Sequence, residues 1–386
     1  MTEKLYEQDP ALFCFTARVL SCQKTEKGFE TVLDRTAFFP EGGGQAADHG
    51  TLADAAVTDV QLCGDTVVHL LDRAVPCGEI EGRLDVPRRL RHMQNHTGEH
   101  IVSGLIHRHF GYQNVGFHLG QDVTADFDGR LTKDDLLRIE RLANEEVCRN
   151  RPVTAWFPSP DELTGLSYRS KDGIEGAVRL VRIGDCDLCA CCAPHVKTTG
   201  EIGIIKIVDF QKNKGGTRVF LKCGFDALAD YNEKQDNIQQ IANLFAVKQN
   251  ETALAADRQA RQIAELKYEI SLLKKRLITE KILHDIPAGA VTAVFEPGLD
   301  GKELQLFSDG LYRQNGGIRG VFSGQDGDFH FAICGEEQAL APFFAHLKAA
   351  CTVSGGCRNG IRQGTVTATE NEIVNAFHTY APPGAE

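Results

Sequence analysis

The stretch LRHMQNHTGEHIVSGLIHRHF, residues 90–110, decides how the first half of the chain folds. Read as a helix, it takes its apolar positions from Ile101, Leu105 and Ile106 and stops at Gly111. Positions i, i+3 and i+4 of a helix are neighbours, so His96, Glu99 and His100 then share one face. Two imidazoles with a carboxylate beside the second raise the question of a metal site.

Upstream, residues 1–85 hold short β-branched or aromatic runs (LFCFTARVL, FETVL, DTVVHLL) separated by Gly, Asp and Pro. That pattern predicts a small β domain, barrel-like and Gly-rich. Within it lies RTAFFPEGGGQAADHG, residues 35–50, a loop rich in positions suited to positive φ. Residues 86–224 are predicted to form an α+β domain. Its second helix, TKDDLLRIERLANEEVCRN, has Thr132 as cap, Asp135 at the capping-box position, and a stripe of Leu136, Ile139, Leu142, Ala143 and Val147. EIGIIKIVDF and TRVFLKCG read as strands.

Residues 225–285 contain neither Pro nor a Gly. Ile263, Leu266, Ile270, Leu273 and Leu277 alternate spacings of three and four, an a/d seam that is interrupted upstream at Lys248. A long helix that pairs with itself or with another helix is expected. Residues 286–386 are expected to form a small Gly-rich α/β domain with a helix over 337–350, so the fold class is α+β throughout.

The formal net charge of −11 over 386 residues opposes indiscriminate attraction to a phosphate backbone. Two local basic clusters remain as candidate RNA contacts: Arg83, Arg88, Arg89, Arg91 and His92, and Lys206, Lys212, Lys214 and Arg218. The N-terminus MTEKLYEQDP has no basic stretch leading into an apolar run, and no segment approaches 18 uninterrupted apolar residues. A cytoplasmic location without membrane contact is the expectation.

Thirteen cysteines in a reducing compartment point to metal binding or reactivity before disulfides. Four of them, Cys186, Cys189, Cys191 and Cys192, fall within seven residues. Cys191 and His195 form CxxxH; with His96 and His100 they supply one thiolate and three imidazoles, a set that suits tetrahedral zinc. Cys186 and Cys189 form a CxxC, but the helix-start context of a redox pair is missing. His96-Thr97-Gly98-Glu99-His100 also matches HxxEH, a zinc-peptidase signature with Glu99 as general base. No convincing acidic third ligand follows, whereas a Cys/His pair does. Zinc acidifies bound water and polarises a carbonyl, so ester or amide hydrolysis is the natural chemistry.

RTAFFPEGGGQAADHG, NHTGEH, CxxxH and VKTTGEIG, with GFHLG, ADFDG and NRPV between them, closely resemble the editing domain of alanyl-tRNA synthetases and its free-standing relatives, the AlaX-type editing proteins. The resemblance covers roughly residues 10–222. It implies a trans-acting hydrolase that removes serine, and glycine, from mischarged alanine tRNA. The Gly-rich motif begins near residue 36, leaving no room before it for an adenylate-forming domain, so editing without charging is expected. Carried over position by position, the resemblance implies zinc ligation by His96, His100, Cys191 and His195. It also puts Thr36 and Gln45 near the amino-acid pocket, with the Thr36 hydroxyl able to bond serine's side chain and so spare alanine.

Two departures stand out. Ala193-Pro194 replaces the family's common Gly-Thr before the last histidine, and Glu99 replaces a residue that is often small or apolar. Glu99 is either a general base or a partner that orients an imidazole. The long helix and GGCRNGIRQG, residues 355–364, resemble the end of the longer AlaX proteins, where a coiled segment leads to a DHH-associated domain. That implies tRNA contact, and a homodimer through the long helix and the C-terminal domain. The competing readings are an HxxEH zinc metallopeptidase and a non-catalytic, zinc-stabilised RNA-binding protein.

Overall fold

The computed structural model describes residues 1–120, 122–170, 177–284, 289–358 and 360–381. The expected boundary near residue 285 and Asn359 of the Gly-rich turn lie outside these. The chain divides into two compact units, residues 1–240 and 241–386.

In the first unit, alternating apolar residues close a barrel of six strands. Its order is Cys14–Thr25, Gly28–Leu33, Thr66–Leu71, Ala55–Cys63, Gly50–Leu52 and Gly78–Leu84. Phe15, Val19, Leu33, Phe38, Val60 and Leu71 fill its interior, the face that a period of two assigns to the core. The chain then enters the helix Val86–Phe110, capped by Asp85 and ended by Gly111 in the left-handed conformation. The helix Lys133–Arg149 carries the expected Thr132/Asp135 capping box and buries Leu136, Ile139, Ala143 and Val147.

These two helices pack on an antiparallel sheet ordered Ile205–Asn213, Gly216–Cys223, Val123–Phe127, Asn114–Leu119. A second antiparallel sheet joins Val153–Trp156, Leu180–Ile183 and Asp187–Ala190. Two glycines let the 86–110 helix sit close. A Cβ at Gly98 would lie 2.4 Å from the Cys223 Sγ, and one at Gly104 would lie 2.5 Å from the carbonyl oxygen of Cys186.

The single helix expected over 225–285 is two helices, Phe225–Phe245 and Thr252–His284. Ala246 turns left-handed at φ 51°, and Lys248 is extended and begins a new turn, which breaks the helical hydrogen-bond ladder. The seam residues Ile263, Leu266, Ile270, Leu273 and Leu277 are all 45–55% exposed.

In the second unit a five-stranded sheet runs Val291–Phe295, Ile318–Gln325, Asp328–Cys334, Ile361–Thr367, Thr352–Arg358, with only the first pair parallel. Phe331 and Ile333 pack with the helices Glu337–Ala350 and Glu370–Thr379, whereas Ala332 packs with the helix Gly301–Asn315 and Ile278. Both faces of the sheet are therefore covered, by the alternation of a strand. No helix among the described residues is long and apolar enough to cross a membrane.

Candidate metal centre

The helix Val86–Phe110 presents His96 and His100 one turn apart, and the segment leaving the strand Asp187–Ala190 brings Cys191 and His195 against them. The four ligand atoms lie within 4.8 Å of one another. Cys191 Sγ is 3.6 Å from His96 Nε2 and 3.4 Å from His195 Nε2. A tetrahedral zinc with ordinary Zn–N and Zn–S bonds separates its N and S ligands by about 3.6 Å. The donor set and its spacing fit that ion.

The outer hydrogen bonds set each imidazole's tautomer. His96 Nδ1 donates to Gln45 Oε1 at 2.8 Å, and His100 Nδ1 donates to Asp187 Oδ2 at 3.0 Å. The Thr97 hydroxyl gives its only proton to the Met93 carbonyl at 2.7 Å, so His195 Nδ1, 3.1 Å away, must donate to Thr97. With Nδ1 protonated in all three rings, each Nε2 keeps a lone pair for a metal.

Asp187 is itself gripped by Arg169 through two bonds of 2.7 Å. Burial alone would raise its pKa, but the bonds from His100 and Arg169 hold it at about 2. Burial also opposes ionisation of the Cys191 thiol, yet the adjoining His96 and His195 outweigh it and hold that pKa well below the usual thiol value. Desolvation pushes Cys186 and Cys189 up to about 12 and 11. Both stay protonated at neutral pH, the opposite of a reactive redox pair. Arg179 fastens the ligand loop by donating to the carbonyls of Cys191 and Ala193, each at 3.0 Å.

Gln45 reaches the centre because the Gly-rich loop is tied to the strand Asn114–Leu119, with Leu119 N–H donating to the Gly44 carbonyl at 2.7 Å. A Cβ at Gly44, where φ is +85°, would meet the Phe117 carbonyl oxygen at 2.2 Å, so only glycine passes. Gln45 is 1% exposed and its Nε2 has no partner among the described residues. That amide is a buried donor waiting for an acceptor.

Two expected roles are not matched by contacts. Glu99 accepts bonds from the Ser103 hydroxyl and from Asn114 Nδ2, the latter at 2.6 Å, and touches none of the imidazoles in these bonds. The ring-orienting partners are Gln45, Asp187 and Thr97, of which sequence reasoning named only Gln45, and for another role. The Thr36 hydroxyl is fully buried in the barrel. His69 Nδ1 faces the Thr31 carbonyl at 3.2 Å, so its Nε2 accepts the Thr36 proton at 2.8 Å, while Thr36 Oγ1 accepts Phe38 N–H at 3.1 Å. Its donor is committed to His69 rather than free for a substrate. The CxxC gave the one available signal for Asp187, which lies between those cysteines.

Five residues of the two basic clusters are ion-paired within the chain. Arg89 is buried against Asp48, Arg91 pairs with Asp226 at 2.8 Å, and Arg83 pairs with Glu81. Lys206 pairs with Glu140 and Arg218 with Asp126, each at 2.7 Å.

A profile described as the threonyl and alanyl tRNA synthetase second additional domain matches residues 178–220. The alanine–tRNA ligase of Pyrococcus abyssi is 33% identical over 72% of this chain and 32% of the ligase, and that of Thermococcus kodakarensis is 31% identical over 94% and 41%. The alanyl-tRNA editing protein AlaX-L of Pyrococcus horikoshii is 30% identical over 60% of this chain and 61% of its own length. The chain thus spans less than half the length of these ligases. It is a homologue of the alanyl-tRNA editing protein AlaX-L and of these ligases.

Proposed function

We propose that the chain is a zinc-dependent hydrolase that cleaves the ester of alanine tRNA mischarged with serine or glycine. The observation that carries this reading is the buried His96/His100/Cys191/His195 cluster, with all three Nδ1 atoms engaged and all three Nε2 atoms available. The relatives' names give the substrate class. Bound there, zinc supplies Lewis acidity toward the ester carbonyl and acidifies water. Gln45 holds His96 with Oε1 and offers Nε2 as a donor to the oxygen that becomes negative as water adds to the carbonyl. Asp187 and Thr97 fix His100 and His195, and burial excludes competing solvent. Water adds to the aminoacyl carbon, the bond to the terminal ribose oxygen breaks, and that oxygen leaves with a proton.

The metallopeptidase reading needs Glu99 free to act as base beside an acidic third ligand. The bonds from Ser103 and Asn114 to Glu99, and the place of Cys191 in the cluster, favour the ester hydrolase. The exposed seam on the helix Thr252–His284 supports a homodimer. The deciding experiment is hydrolysis of seryl, glycyl and alanyl esters of one alanine tRNA, with and without chelator. The seryl and glycyl esters are expected to be cleaved, alanyl spared, and chelator to abolish cleavage; a zinc-loaded protein that leaves seryl-tRNA intact refutes the proposal.

A further inference from the structure

Ala193, which replaces a common glycine in the ligand loop, is fully buried. Its methyl group belongs to a small apolar cluster with Tyr6 and Phe39, and Cys191 packs against that cluster. The three residues come from different segments: Tyr6 from the short helix Leu5–Gln8, Phe39 from the Gly-rich loop, and Ala193 from the loop that carries Cys191 and His195. Cys191 also packs against the core that includes Ile101 and Val102 of the 86–110 helix, so it bridges the two apolar groups.

The helix Leu5–Gln8 is a single turn without a side-chain cap, a length that does not hold itself. Its entry is fixed by the barrel. Thr2, 2% exposed, donates its hydroxyl to the Leu33 carbonyl and accepts Val67 N–H, each at 3.2 Å, and Glu3–Lys4 pairs in parallel with Arg35–Thr36. The Tyr6 ring is 3% exposed and meets Phe39 edge-to-face at 5.4 Å. Phe39 N–H donates to Asp48 Oδ2 at 2.7 Å, and Asp48 is held by Arg89 of the 86–110 helix. The pair of rings is thereby tied to the helix that bears His96 and His100. Beyond His195, Lys197 pairs with Asp9 at 3.0 Å, but with side chains 55% and 46% exposed that pair adds little. Arg179 holds the ligand loop by its carbonyls, whereas Tyr6 and Phe39 hold it by an apolar side chain.

We propose that Tyr6 is a positioning residue for the metal centre, its buried ring closing on the ligand loop so that Cys191 stays turned toward His96 and His195. The assignment rests on the zinc reading of that centre. Ligands are held precisely where packing locks the residues that carry them, and the apolar surroundings of a site contribute to its affinity. Packing of this kind uses the ring, so the phenol oxygen is dispensable.

Cobalt(II) in place of zinc reports on the site without requiring hydrolysis, because a thiolate ligand adds a sulfur-to-metal charge-transfer band. The full chain is loaded with cobalt(II) for its spectrum, and its zinc affinity is measured by chelator competition. Tyr6→Ala is expected to weaken zinc binding about tenfold and to diminish the charge-transfer band at equal cobalt occupancy, and Tyr6→Phe to restore both. Leu71→Ala opens a cavity in the barrel interior, where Leu71 is 1% exposed, and is expected to lower stability while leaving both readouts unchanged. Wild-type affinity with an unaltered band in Tyr6→Ala overturns the proposal. An equal loss in Leu71→Ala also overturns it, by tracing the effect to stability alone, as does an equal loss in Tyr6→Phe, by tracing it to the hydroxyl. If Tyr6→Ala does not fold, Tyr6→Leu is expected to show both losses in smaller measure, and its wild-type behaviour overturns the proposal. A wild-type chain that shows the thiolate–cobalt band yet leaves seryl-tRNA intact removes the hydrolase reading and keeps the role of Tyr6. Hydrolysis by a wild type whose Tyr6→Ala variant binds metal unchanged removes the role of Tyr6 and keeps the hydrolase.

Discussion

Glu99 sits between the two helical histidines in sequence, yet its Oε1 accepts from both Ser103 and Asn114. Glu99→Gln keeps an acceptor oxygen there. Zinc content is therefore expected to be unchanged, and deacylation to stay within about threefold of wild type. A loss of a hundredfold or more with zinc retained would make Glu99 the general base after all. Asp187 carries the opposite expectation, because it orients a ligand ring and is charged at neutral pH. Outer partners of this kind change metal affinity by about 10–100-fold. Asp187→Asn is expected to lower zinc affinity by that amount in a chelator competition, and an unaltered affinity would show that Arg169 and the backbone suffice to place His100.

At the scale of elements, close approach of the 86–110 helix positions the strand that bears Asp187. Gly104→Ala puts a methyl 2.5 Å from the Cys186 carbonyl and 2.9 Å from the Asp187 Cβ. Overpacking of this kind costs about 1–3 kcal/mol. The loss should appear in urea unfolding followed by the fluorescence of Trp156, the chain's single tryptophan and a residue of the first unit.

The barrel makes its own prediction through His69, whose pKa burial lowers to about 4 from 6.5. Between those values the unfolded chain binds a proton that the folded barrel does not, so stability falls as pH drops from 6.5 towards 4. The shift corresponds to on the order of 3 kcal/mol for this residue. His69→Gln, measured by the same unfolding assay across that window, should flatten the pH slope. An unchanged slope would place the acid sensitivity elsewhere.

For the whole molecule, the seam from Ile263 to Leu277 is too apolar to be left about half exposed along five consecutive contact positions. We expect light scattering to give twice the chain mass at micromolar concentration, and Leu266→Lys with Ile270→Lys to halve it. A monomeric wild type that is fully active would remove the dimer from the account.

Elements governed by local periodicity were legible in the residues themselves. The helix stop at Gly111, the capping box at Thr132 and Asp135, and the helix over 337–350 follow from neighbours a few positions apart. The four candidate zinc ligands were legible too, because residue type and paired spacing narrow the chemistry even across nearly a hundred intervening positions. Hydrogen-bond partners were not. Thr97, Asp187 and Arg169 orient rings and carboxylates by where the backbone brings them, which no spacing rule encodes. Thr36 meets His69 across the barrel, so its hydroxyl proton is already committed. Arg89, Arg91, Lys206 and Arg218, read along the chain as part of an RNA face, are paired with acids contributed by other elements. The sequence by itself pointed to the candidate donor set and to the helix that carries His96 and His100. Only the tertiary structure decided which polar groups are left unpaired, because that depends on every neighbour at once.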